Sequence, residues 1–83
     1  MQVFDLERLL TASGSTTWIE DTHYGRFGNA HNIFVNEDSG FAYAVGTDTC
    51  SGGLHMIDVN DPMNPTNAGC FSQDGYVHGK LYL

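Results

Sequence analysis

Short apolar runs separated by turn residues mark this chain from end to end, and none of them repeats every 3.6 residues. The pattern therefore predicts strands and almost no helix. The predicted strands cover 1–6, 16–20, 30–35, 41–46, 54–59 and 66–72, with a further one beginning at Tyr76. Between them, 7–15 reads as a possible first turn of helix that gives way to a polar loop, and 24–29 as a glycine-spaced loop. Asn36-Glu-Asp-Ser-Gly40 predicts a five-residue hairpin loop closed by glycine. Residues 47–53 make a longer connection, and Asn60, Asp61, Pro62, Asn64 and Pro65 end the 54–59 strand in a turn.

The two central strands are apolar on both sides. Residues 41–46 put large side chains on one face and Ala42, Ala44 and Gly46 on the other. Residues 54–59 offer Leu54 and Met56 on one face, Ile57 and Val59 on the other. An antiparallel sheet with one wet face alternates apolar with polar, so this one wants cover on both sides, as stacked sheets provide. Counting outward from the turns predicts Val35 opposite Phe41 and Ala30 opposite Gly46. The same count puts Val59 opposite Thr66, and hence His55 opposite Cys70.

The chain also repeats itself. Asp5 matches Asp58 at an offset of 53, and Trp18-Ile-Glu-Asp21 falls on Phe71-Ser-Gln-Asp74 at the same offset. Gly28-Asn-Ala-His31 matches Gly75-Tyr-Val-His78 at an offset of 47, which places a six-residue insertion near 24–27. Periods of 40–50 residues with four short strands apiece are the signature of β-propeller blades. The predicted fold is thus all-β, built of antiparallel four-stranded blade sheets in a partial propeller. Residues 1–29 form the outer half of one blade with its connecting loop, 30–72 a complete blade, and 73–83 the first strand of the next.

Charge narrows the partners. Ten acids against three bases give a formal charge of −7 over 83 residues, which repels phosphate backbones and anionic membrane surfaces and argues against nucleic acid. The acids are scattered singly, as on a solvated surface. No apolar run approaches the roughly 20 residues of a spanning helix, so no membrane insertion is expected of this segment, and the first residues lack the basic and apolar regions of a signal peptide.

Leu54-His-Met-Ile-Asp58, followed by Pro62 and Pro65, resembles the LVIVD repeat, in which Leu-Val-Ile-Val-Asp precedes a proline-rich turn. The stretch 30–46 together with 50–58 is similar to the choice-of-anchor B proteins, exported bacterial LVIVD-repeat propellers without an assigned reaction. That resemblance implies structural roles for Leu54, Ile57, Asp58, Pro62, Pro65 and Asp5. It implies a secreted or cell-surface setting, with the remaining blades of the same propeller as partners and a protein or surface ligand as target. It also implies that about one and a half blades are present here. An exported setting favours a Cys50–Cys70 disulfide. Zinc held by Cys50, Cys70, His31 and His55 is the competing use of the thiols, disfavoured because no CxxC or HxxxH pair preorganises two ligands. Two free thiols are the third.

Other chemistry is weaker. His31 and His78 occupy equivalent positions at the start of a blade's first strand, which would line the central channel; a histidine fixing blade register is the simpler use. His23 and His55 read as structural or exposed. Asp5 and Asp58 end strands before turns and suit capping by backbone N–H groups. Asp58, Asn60 and Asp61, like 36–39, are oxygen-rich without a calcium-loop pattern. Trp18 and Phe71 read as packing between blades, and no Gly-x-Ser-x-Gly elbow supports a nucleophile. No catalytic residue, metal or cofactor is assigned. The expected function is a structural or binding module, leaning away from an enzyme. The alternative is a metal-dependent hydrolase or oxidoreductase with a histidine-lined central site.

Overall fold

A computed structural model describes residues 1–11, 14, 19–73 and the backbone of 76–77 and 80–81. In chain order the strands are β1 (Gln2–Val3), β2 (Thr22–His23), β3 (Asn32–Asn36), β4 (Phe41–Val45), β5 (Leu54–Asp58), β6 (Thr66–Phe71), β7 (Tyr76–Val77) and β8 (Lys80–Leu81). Two 3₁₀ turns, Leu6–Leu10 and Cys50–Gly52, are the helical elements among the described residues. Strands β3 to β6 form one antiparallel sheet in sequence order, and β1–β2 and β7–β8 form separate two-stranded pairs. The four-stranded sheet is open, with β3 and β6 at its edges.

Three sequence expectations shift. The first strand is shorter than 1–6, because Asp5 caps a 3₁₀ turn by accepting the Glu7 N–H at 3.0 Å. Thr22–His23, outside every expected strand, is a strand; the expected strand at 16–20 has Ile19 and Glu20 outside regular structure and its first three residues outside the described set. The last segment forms a hairpin, Tyr76 pairing with Leu81 and Val77 with Lys80, where one strand was expected.

Register is set by the turns. Asn36 belongs to β3 and faces Phe41, so the hairpin loop has four residues and Val35 faces Ala42. The Asn36 carbonyl accepts the Gly40 N–H at 3.0 Å and its side chain accepts the Ser39 N–H at 3.2 Å, which holds the fifth residue in the strand. A one-residue slip exchanges the faces, and Val35 joins the alanine side while Phe34 joins Tyr43. On the other flank Asp58, not Val59, faces Thr66. A bulge between Met56 and Ile57 takes up the difference, Met56 facing Gly69 and Ile57 facing Asn67, and His55 faces Cys70 as predicted. Gly69 sits at φ +121°, a conformation open to glycine, and donates to Asn67 Oδ1 at 2.9 Å.

Gly40 lies at φ +75°, and a Cβ there would land on the Asn60 side chain. Gly40→Ala should therefore cost roughly 1–2 kcal/mol from the left-handed backbone alone. Urea unfolding of the variant checks this, with an unchanged slope showing that the sheet is otherwise intact.

Burial is lopsided. Tyr24, Ala42, Ala44 and Ile57 make up the buried apolar core, with Met1, Phe27 and Val59 packed against it. The cover is the N-terminal segment, tied down where Met1 and Tyr24 exchange two backbone hydrogen bonds of 2.8 Å. On the opposite face Tyr43, Val45, Leu54 and Met56 are half-buried and Phe34 is 65% exposed. The expected apolar character of both faces holds, and one of them has a cover within the chain.

The β1–β2 ladder repeats the β5–β6 ladder in register. Gln2 faces His23 and Val3 faces Thr22, as His55 faces Cys70 and Met56 faces Gly69. His55 and Met56 stand 53 positions after Gln2 and Val3; Cys70 and Gly69 stand 47 after His23 and Thr22. The six extra residues of the first copy therefore fall before Thr22, in the segment carrying the Leu6–Leu10 turn, and not near 24–27. With that shift Phe71 corresponds to Tyr24. The sequence match of Trp18 to Phe71 gives way to it, and Trp18 itself lies outside the described residues.

Candidate functional site

The one buried polar cluster among the described residues is centred on His55, which is 3% exposed on the sheet's covered face. Strand alternation sends His55 and Ile57 to the same side as Ala42 and Ala44. Tyr24 reaches it from the covering segment. Its hydroxyl lies 2.7 Å from His55 Nε2. Thr49, in the connection before β5, brings its hydroxyl to 2.7 Å from Nδ1. Thr49 Oγ1 is in turn 2.7 Å from Thr47 Oγ1, and Thr47 is also buried.

One assignment of protons satisfies every member of this chain. The Tyr24 O–H donates to Nε2, the Nδ1–H donates to Thr49 Oγ1, and the Thr49 hydroxyl donates to Thr47. The Thr47 hydroxyl then donates to the Thr49 carbonyl at 3.0 Å while accepting the Thr49 N–H at 3.0 Å. The imidazole is neutral in this arrangement. Burial lowers its pKa, the Arg26 charge lowers it further, and Asp48 opposes both. Burial likewise raises the Tyr24 phenol, against a smaller lowering by Arg26. Phe27 packs edge-on against the imidazole with ring centres 5.2 Å apart, and Tyr24 does so at 5.6 Å. A fully committed, desolvated imidazole is a strut: it has no lone pair left for a metal and no hydroxyl that it activates toward solvent.

Beside the strut lies the Cys50–Cys70 disulfide, with Cα atoms 5.4 Å apart and a sequence separation of 20. The pairing favoured by the family resemblance is thus the one found, and it removes the thiolates on which a Cys2His2 zinc site depends. Cys50 and Ser51 adopt left-handed φ of 55° and 51°, followed by Gly52 at 77°. The Gly52 N–H to Thr49 carbonyl and Gly53 N–H to Cys50 carbonyl bonds, 3.1 and 2.8 Å, hold this turn closed. A Cβ at Gly53 would strike the Phe71 carbonyl, so the turn sits directly against β6.

The remaining candidates disperse. His31 is exposed, its N–H bonded to the Val45 carbonyl at 2.9 Å, at the end of the sheet that carries Cys50, Cys70 and His55. Among the described residues no three His, Cys, Asp or Glu side chains gather as a metal would require. His78, proposed as its repeat counterpart, lies outside the described residues. His23 is exposed and pairs with Glu20 at 3.2 Å. Leu54 is half-buried on the open face, and Pro65 half-buried and Pro62 exposed flank β6's approach.

Asp58 accepts the Asn60 N–H at 2.9 Å, the cap expected of it, and that bond holds its carboxyl below the ordinary carboxylate range. Asp5 makes the same bond to the residue two places on, so the two repeat aspartates share one function. Asp48 plays a related part, accepting the Gly28 N–H at 2.8 Å and pinning the Tyr24–Gly28 segment over the sheet. That N–H is the first cause of its lowered pKa.

Sequence reading passed over Tyr24, Thr47 and Thr49. Tyr24 stands among glycines and the threonines in a connection, and their shared partner is fixed by how the first segment folds over β4 and β5. A buried-strand histidine next to a small-residue strand was the available signal. No helix among the described residues is long and apolar enough to cross a membrane. Compared with known proteins, the chain matches no family model, no curated protein and no solved structure.

Proposed function

We propose that this chain is a complete LVIVD-type blade, β3 to β6, flanked by parts of its neighbours, and that it serves a propeller used for binding or display rather than for catalysis. The observation that carries this reading is the register match of β1–β2 with β5–β6, each followed by an aspartate that accepts the N–H two residues on. A blade order of four strands in sequence, with apolar side chains left on an outer face, fits a unit that stacks on others. The His55 strut supports a structural role as well, because it joins the first copy's aromatic residue to the second copy's strand. The disulfide is of the kind that persists in oxidising compartments, which fits an exported protein.

Stacking units gain stability from each neighbour. A chain in which residues 25–71 are duplicated in tandem is expected to unfold at higher urea concentration than the 83-residue chain and to bind less of a surface-hydrophobic dye. An unchanged midpoint would show that the units do not stack and would overturn the propeller reading. Metal analysis of the purified protein tests the role: stoichiometric zinc together with metal-dependent hydrolysis lost in His31→Ala would replace a scaffold with an enzyme.

A further inference from the structure

The outer edge of β3 carries a pattern that the blade does not use. Its five residues, Asn32-Ile-Phe-Val-Asn36, have the same character read in either direction: amide, β-branched, aromatic, β-branched, amide. They hold no charge in a chain of formal charge −7. Ile33, Phe34 and Val35 are 44%, 65% and 50% exposed. The Ile33 N–H is bonded to its neighbour's Asn32 Oδ1 at 2.8 Å and not across the ladder to β4. Amides alternate along an antiparallel strand, so Val35 presents its N–H and C=O on that same outer edge.

Let a second copy approach this edge antiparallel, with Phe34 on the two-fold axis. Ile33 then faces Val35 of the second copy and Val35 faces Ile33. These are the residues whose main-chain groups point outward, and they form hydrogen-bonded pairs in that register once the Ile33 N–H exchanges Asn32 Oδ1 for the Val35 carbonyl of the second copy. Phe34 meets Phe34 in the intervening close pair, where side chains approach most nearly. Asn32 meets Asn36, amide to amide. A shift of two residues either way loses the aromatic pair and an amide pair together.

From this coincidence of hydrogen-bonding edge, side-chain symmetry and charge we infer that the 83-residue chain forms an isologous dimer through β3, joining two four-stranded sheets into one of eight. Self-complementarity about a two-fold axis is what such an interface demands. The inference stands on the free edge and not on the propeller reading. In a closed ring of blades that edge would face the axial channel, where a second copy has no room to pair with it.

Light scattering across a concentration series tests it. The average mass of the wild-type chain should rise from 9.1 kDa toward twice that value. Phe34→Lys and Phe34→Glu should each weaken the dimer at least about tenfold, and an equimolar mixture of the two should restore it, because lysine then faces glutamate across the axis. Val35→Pro removes an outward N–H while sparing the β3–β4 ladder, and should leave a monomer with unchanged β-sheet circular dichroism. A wild-type chain that stays monomeric at millimolar concentration would overturn the proposal. So would a dimer that survives Val35→Pro, or a lysine–glutamate mixture that remains monomeric.

Discussion

Replacing both Cys50 and Cys70 by serine is expected to lower the unfolding free energy by about 3 kcal/mol, the chain-entropy value for a loop of this length. The bond spans 20 residues and ties the turn before β5 to the strand after it. For a chain whose described apolar core consists of four residues, such a loss is a large share of the whole, since small domains are held by a few kcal/mol. The two left-handed residues Cys50 and Ser51 sharpen the effect, because non-glycine residues stay in that region when surrounding structure over-determines them. Urea titration with and without reductant measures the difference. Hydrogen exchange should place the loss first at β5, β6 and the 47–53 connection. A reduced protein as stable as the oxidised one would show that the hydrogen bonds of the turn suffice alone.

Tyr24→Ala should cost as much or more, about 3–5 kcal/mol on the scale of buried aromatic truncations. It removes the largest side chain of the cover, the ring contacts to His55 and Phe27, and the donor to Nε2. Tyr24→Phe separates these terms. It keeps the ring and deletes the hydroxyl, leaving a buried nitrogen without its partner, a loss of about 1–3 kcal/mol.

Acid supplies an independent check on the same strut. The unfolded imidazole takes up its proton near pH 6.5, whereas burial and Arg26 delay protonation in the folded protein to lower pH. Between those two values the unfolded chain binds more protons, so stability is full above about 6.5 and falls as pH drops through that window. Asp48 and Asp58, held low by backbone N–H groups, add a second loss below the ordinary carboxylate range near 3.9. In Tyr24→Phe the upper step should shrink, because neutral His55 has lost the hydroxyl that favours it. An identical pH profile in wild type and variant would mean that the tyrosine does not set the histidine's charge state.

The strands β3 to β6 were legible because their signals are local. Turn residues at 36–40 and 60–65 punctuate apolar runs of strand length, and the aspartates before the turns can serve as caps in any context. The meeting of His55 with Cys70 was also reached by counting, though through two offsets that cancel: the true pair starts at Asp58, and the bulge at Gly69 restores the register. Counting has no access to a bulge, since one glycine in a weak strand carries no sign of its φ.

The repeat shows the same division. Its two ends, Asp5 with Asp58 and His31 with His78, could be matched by residue identity. Where the six extra residues fall could not, because Trp18 and Phe71 are both aromatic and one aromatic matches another as well as Tyr24 does. Strand pairing fixes it, placing Thr22 and His23 opposite Val3 and Gln2.

By itself, then, the sequence determined an antiparallel sheet of four strands in chain order, its need for cover on both faces, and its capped turns. These follow from the spacing of side chains a few residues apart. The tertiary structure decided which face the first segment covers, that His55 is a neutral strut between Tyr24 and Thr49, and that β3 is left with an open, self-complementary edge. The cover and the Tyr24–His55 bond depend on groups 20 to 31 positions apart coming within hydrogen-bond distance, and such contacts are selected by how whole segments pack, not by any pattern along the chain.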